Sequence, residues 1–260
     1  MTQPDAPWLA ELRRRAALPP LVPREPLRFG PAEVGSIEPA IGARMAADGV
    51  PLRHERGAWQ VSSRDDEALA ELAAWLHEQG LASRWRDELL PVIDAEGKVH
   101  GAIERAAMRP LGLITQAVHL VGRHPDGRFW VQQRAHDKAT DPGLWDTLVG
   151  GLMAAGETVQ LTLERETWEE AGLRLSELDA LQPLGHLQIR RPVGEGYMVE
   201  CATLFQAVVP RRLTPENRDG EVAAFACVDA VTLEADLAAG RYTLEAALIH
   251  AHAMALDAAR

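Results

Sequence analysis

Cysteine, basic charge and long apolar runs are all in short supply in this chain of 260 residues. Its two cysteines, Cys201 and Cys227, form no CxxC pair, which argues against a zinc centre built on thiolates. Parity allows one disulfide, but buried free thiols in a reducing cytoplasm are the expectation. Lys and Arg number 27 against 38 Asp and Glu, a formal net charge of −11 at pH 7. A duplex-binding protein wants a basic footprint to neutralise phosphates, so nucleic acid is not the expected partner. No stretch approaches the roughly 18–20 apolar residues that would cross a bilayer. The first twenty residues lack the apolar core of a secretory signal, and they are Arg-rich, short and acid-containing, a poor transit peptide. These absences point to a cytoplasmic protein with no membrane contact. A phosphorylated substrate would need local help against the negative charge, which a divalent cation held by carboxylates would give.

What is present suits a packed domain: 47% of residues are apolar and 25% charged. The proline-bearing segment 1–30 reads as an irregular arm with a short helix ahead of it, and Pro31-Ala32-Glu33 after Gly30 reads as a helix start. A second short helix is expected to end at Gly49. The segment 65–80 predicts a helix, with acids in its first turn, Gly80 at its end and a stripe of Leu69, Leu72, Ala73 and Leu76. Strands follow: a hairpin over 86–104 turning at residues 94–97, then AVHLVGR and RFWVQQR around an Asp-Gly turn. After a central helix come strands at LGHLQIR, YMVECATLFQAVV and EVAAFACV, then helices near 231–239 and 243–258. The pattern predicts a mixed α/β domain over residues 85–260 behind a small α+β N-terminal domain over residues 1–84.

The chemistry is concentrated after Gly150-Gly151. Glu166, Glu169 and Glu170 stand at i, i+3 and i+4, so a helix places them on one face. Like charges so close repel by a few tenths of a kcal/mol per exposed pair, roughly, unless hard cations sit among them. Arg165, four residues before Glu169, can brace its carboxylate. Leu163, Thr167 and Ala171 make an apolar stripe opposite, with Leu161 and Trp168 on a further flank, so packing on more than one side would leave an edge of acids free. Gly172 can end the helix with positive φ. Three glutamates alone are more often a solvated helix face. Their combination with Gly151, Glu157, Arg165 and Gly172 at fixed spacing argues for a site.

This segment resembles the Nudix box, G-x5-E-x7-R-E-U-x-E-E-x-G-U, with U a bulky aliphatic residue. Gly151, Glu157, Arg165, Glu166, Glu169, Glu170, Gly172 and Leu173 fill it. Thr167 departs from the aliphatic residue usual at the first U, and its hydroxyl would need a partner such as a carbonyl one turn back. The resemblance implies a Nudix α/β/α sandwich with a mixed sheet. It also implies Mg²⁺ or Mn²⁺ ligated by Glu166, Glu169 and Glu170, with Glu157 and the Gly151 carbonyl contributing and Arg165 orienting the carboxylates. In such enzymes the base comes from the box or from a later loop. Glu221, in the segment from Asp219 to Phe225, is a candidate equally readable as an exposed turn acid.

The loop from Lys138 to Asp146 and the strands before it resemble a Nudix branch with an N-terminal accessory domain related to thiamine diphosphate metabolism. That branch implies hydrolysis of thiamine diphosphate or its oxidised analogues to the monophosphate. Arg134, Lys138 and Arg190 are candidate diphosphate contacts and Trp145 a candidate ring-stacking residue. Solvated cations and a core aromatic are the plainer readings of the same residues. A nucleoside diphosphate derivative is the alternative substrate, and a ligand-sensing module without turnover the alternative class. An isomerase relative of the fold calls for a cysteine before the box, where this chain has none. The N-terminal unit shows no catalytic constellation; covering the site, adding specificity and building a homodimer are its open roles.

Overall fold

The computed structural model describes residues 6–63, 65–138 and 140–258. The first five residues of the arm and Ala139 of the 138–146 loop lie outside them. Helix α1 (Pro7–Arg15) opens on a proline in its first turn, where a missing N–H leaves no bond unmade. The segment after it is not irregular, nor does a helix start at Pro31. Strands β1 (Glu25–Phe29) and β2 (Ala32–Ile37) form a hairpin through Gly30 at φ 62°, with Phe29 opposite Ala32 and Glu25 opposite Ile37. The prolines mask an alternation that sends Leu27, Phe29, Val34 and Ile37 into one core.

Helix α2 (Pro39–Ala47) follows, then a tight hairpin of β3 (Leu52–Glu55) and β4 (Ala58–Val61). Its turn residues, Arg56 and Gly57, both have positive φ. The four strands order as β2-β1-β4-β3, with β1 and β4 parallel. Helix α3 (Asp66–Glu78) lies where its pattern put it, capped by the Asp65 carboxylate, which accepts the Ala68 N–H at 3.0 Å. The hairpin of β5 (Leu89–Ile93) and β6 (Val99–Glu104) also forms as expected. It packs backwards, however. Leu90, Val92 and Ile103 join Leu69, Leu72 and Leu76 of α3 in a single apolar cluster that runs on to Leu113. The boundary expected between residues 84 and 85 lies inside that cluster.

The second sheet contains β7 (Ile114–Arg123), β8 (Phe129–Arg134), β9 (Trp145–Asp146), β10 (Val149–Leu152), β11 (Asp179–Val193), β12 (Gly196–Val208) and β13 (Val222–Val228). Its main order is β11-β12-β7-β8-β13, with β10 paired to β7 and β9 to β8. The β12–β7 pair is parallel and the others antiparallel, so the sheet is mixed. Alternation along β7 divides its two faces. Val118 and Leu120 pack with Leu163 and Ala171 of helix α4 (Val159–Ala171). Ala117 and Val121 pack with helices α5 (Ala230–Ala238) and α6 (Leu244–Ala258). Leu9 and Leu12 of α1 join this second cluster, so the N-terminal helix is seated beside the C-terminal one. The result is the expected α/β/α sandwich.

Candidate functional site

Helix α4 begins where the Thr158 hydroxyl accepts the Leu161 N–H at 3.3 Å. It ends at Gly172, φ 63°, with the Leu173 N–H returning to the Thr167 carbonyl. Leu163, Thr167 and Ala171 are fully buried on its inner stripe. Leu161 and Trp168 are exposed, so the flank expected to pack does not. Trp168 is instead covered by Arg218, whose guanidinium carbon lies 4.2 Å from the ring centroid. The Thr167 hydroxyl finds no carbonyl and has no hydrogen-bond partner among the described residues.

The acids are not a free edge either. Glu170 is 2% exposed and accepts the Gly150 N–H and the Gln132 side-chain amide, each at 2.9 Å. Glu166 lies against the backbone of Gly151, where a Cβ would overlap its carboxyl group. Glycine at that position is therefore what lets the Glu166 carboxyl group take this seat. Glu169 is the more open of the three, with 42% of its side chain exposed. Arg165 holds the group together. Its Nε donates to Glu157 at 2.7 Å, and one terminal nitrogen to Glu166 at 2.7 Å and Glu169 at 3.1 Å. The other donates to Glu157 at 2.9 Å and to the Leu152 carbonyl at 3.1 Å. Glu157 also accepts from the Ala154 N–H and the Thr162 hydroxyl.

This geometry separates the carboxyl groups electrostatically. Arg165 and the other donors hold Glu157 down at about 2. Burial pushes Glu166 up to about 7, against Arg165 and with Glu169 and Glu221 adding to the rise. Burial and the neighbouring Glu166 raise Glu170 to about 8. Among the described residues, no three His, Cys, Asp or Glu side chains converge as a preformed cation cage, because Arg165 draws Glu157, Glu166 and Glu169 to itself. The donor chemistry nevertheless fits a hard divalent cation. The donors are all oxygen, and two are largely buried carboxyl groups raised to about 7 and about 8, whose ionised form a positive neighbour would favour.

The remaining expected residues divide. Lys138 and Glu221 form an ion pair. Burial raises the Glu221 carboxyl, but the hydrogen bond and charge of Lys138 outweigh it, and the net shift is downward. Glu221 and Lys138 are felt electrostatically at Glu166 and Glu170, respectively. Arg134 lines a cleft beside Gly150 and Gly151, bonded to Asp146 at 3.2 Å and to the Thr140 carbonyl. Trp145 packs on the α6-side core and does not line that cleft. Arg190 is exposed and borders a different groove, while its neighbour Arg191 lines the cleft and meets Glu245 at 3.4 Å. The cleft brings in residues that sequence reading passed over, including Arg109, His119 and Glu200. A signal existed for Glu200, an acid within the otherwise apolar strand YMVECATLF.

Comparison with known proteins agrees with this architecture. Residues 114–248 match the family model described as NUDIX domain. The chain is 30% identical over 165 residues to "Nudix hydrolase 20, chloroplastic" of Arabidopsis thaliana, covering 61% of this chain and 43% of that protein. It thus spans less than half the length of that plant relative. An uncharacterized Nudix hydrolase of Pseudomonas aeruginosa is 36% identical over 133 residues, covering 50% of this chain and 74% of its own. A crystal structure from Deinococcus radiodurans superposes with a TM-score of 0.50 at 23% identity, covering 60% of this chain and 92% of that one, a likeness of fold. With the family model spanning over half its residues and the box intact, this chain belongs to the NUDIX domain family.

Proposed function

We propose that the chain hydrolyses a phosphorus anhydride, the diphosphate linkage of a small-molecule substrate, with Mg²⁺ or Mn²⁺ as cofactor. The observation that carries this reading is the seating of Glu166 on Gly151 beside buried Glu170, with Arg165 bracing the group. Glu166, Glu169 and Glu170 would hold the cation, with Glu157 and the Gly151 carbonyl contributing. When bound, the cation offsets charge on the diphosphate and lowers the pKa of a water. The protein's own part is positional. Arg165 orients the carboxylates, and Gly150 and Gln132 fix Glu170. Arg134 and Lys138 bring positive charge to the cleft and its neighbouring loop. We assign Glu221 the role of proton acceptor, which Lys138 keeps ionised.

For the substrate we take thiamine diphosphate or its oxidised analogues, cleaved to the monophosphate. Support comes from the Lys138–Asp146 loop and from a cleft partly walled by Arg86, Arg105 and Arg109, which precede the family domain. We assign the N-terminal unit this accessory role. A nucleoside diphosphate derivative is the second reading. A non-catalytic sensing module is the weaker one, because every box glutamate is retained. The test is phosphate-product release from thiamine diphosphate, its oxo analogue, ADP-ribose and a deoxynucleoside triphosphate, with Mg²⁺ and with chelator. Metal-dependent preference for the thiamine compounds is expected. Preference for a nucleotide would overturn the substrate, and no turnover of any compound would overturn the hydrolase reading.

A further inference from the structure

The cleft beside Gly151 continues away from helix α4 along the sheet, past Leu152 and Met198, to a wall made by Arg105 and Arg109. Glu200 lines it throughout. Strand β12 places Glu200 opposite Thr115 of β7 and Ile189 of β11, in the interior of the sheet. Three other carboxylates on these walls have cationic partners: Asp146 pairs with Arg134 at 3.2 Å, Glu195 with Arg109 at 3.3 Å and Glu245 with Arg191 at 3.4 Å, while Asp141 lies on the 138–146 loop at the cleft's edge. Glu200 accepts no hydrogen bond from a described residue, and no cationic nitrogen of one lies within 4.0 Å. Its neighbourhood is dense and carries a second acid. Burial, then Glu245, pushes its carboxyl up to about 7, with Arg109 and Arg191 only partly opposing. Glu200 is partly covered by the sheet and open to the cleft, so whatever enters the cleft there meets an acid without a partner of its own among the described residues.

We propose that Glu200 is a specificity-determining residue, receiving a cationic or N–H-bearing ring on the part of the substrate remote from the cleaved linkage. With the diphosphate at the Gly151 end, that ring lies between the apolar side chains of Leu152 and Met198 and meets the carboxylate edge-on. A purely alkyl diphosphate would fill the apolar space and leave Glu200 unmatched, so the cleft discriminates by charge as well as by size. This inference rests on the hydrolase reading for where the diphosphate sits, but Glu200 can be tested without turnover.

The experiment compares wild type, Glu200→Gln and Glu200→Ala on thiamine diphosphate and on isopentenyl diphosphate, whose alkyl group carries no charge and no N–H, with Mg²⁺. Both variants should raise KM for the thiamine compound by about tenfold or more, the worth of a charge-assisted hydrogen bond, with kcat little changed and the alkyl substrate unaffected. Equal effects on both substrates, or a collapse of kcat at constant KM, would overturn the assignment. Calorimetric binding of unphosphorylated thiamine and of its neutral thiazole alcohol separates this from the hydrolase reading. Wild type should prefer the cation, and Glu200→Gln should lose that preference, even in a protein that cleaves no diphosphate. Wild-type binding without such preference overturns the proposal and needs no variant to fold.

Discussion

Glu169 differs from its two partners in the box by being partly open to water, and among the described residues its carboxylate is held by Arg165. Replacing it with Gln preserves shape and removes a charge. Glu169→Gln should therefore lower kcat by about 10²–10³, several kcal/mol of lost transition-state stabilisation, while thermal unfolding stays within a degree or two. Near-normal turnover in the same metal would remove Glu169 from the site. Thr167 makes the opposite case. Its hydroxyl is buried beside Leu163 and Ala171 with nothing to bond, so Thr167→Val should leave catalysis unchanged and stabilise the fold by about 1 kcal/mol. Differential scanning of the two proteins checks this, and a lower Tm for Val would show that the hydroxyl has a partner after all. The box was legible because helical spacing alone sets which of its side chains share a face. The burial of Glu166 and Glu170 was not, because it depends on β10 and Gln132 passing over them, which no local spacing records.

At the scale of elements, helix α4 is positioned by what closes its end. The segment after β12 returns to it, with the Glu216 N–H bonded to the Ala171 carbonyl at 2.9 Å and the Arg218 N–H to the Glu169 carbonyl at 3.1 Å. Asn217 then turns the chain, accepting from Asp219 and Gly220, and delivers Glu221 beside Lys138. Gly172 is the joint of this arrangement. Its φ is 63°, and a Cβ there would come within 2.7 Å of the Glu216 carbonyl oxygen. Gly172→Ala should cost at least about 1–2 kcal/mol and lower Tm by several degrees. It should also weaken activity through the displaced 216–221 loop, and a silent Gly172→Ala would show that the loop is set elsewhere. Elements with a long amphipathic period, such as α3, were legible in the sequence. The β1–β2 hairpin was not, since prolines around it look like irregular chain, and β3 and β4 are too short to show a period.

At the scale of the whole molecule, the sandwich encloses His250 of α6, packed edge-on against Phe129 and Tyr242 at ring-centroid distances of 5.8 and 5.6 Å. Burial holds its imidazole down at about 4. The folded protein therefore keeps His250 neutral where the unfolded chain, near 6.5, takes up a proton. Its stabilising contribution is complete above pH 6.5 and lost as pH falls from there towards 4, by about 1.4 kcal/mol per unit and about 3 kcal/mol in all. Unfolding free energies measured between pH 7 and 4 should fall more steeply for wild type than for His250→Phe; parallel curves would show that this residue does not titrate on unfolding. The seating of α1 against α6 has a kinetic consequence of a different kind. A ribosome delivers α1 well before α6, so Leu9 and Leu12 must wait, without their α6 partners, until the segment that forms α6 has emerged. That closure is a contact of very high sequence separation, and it makes the emergence of α6 the moment at which this core becomes a sealed one.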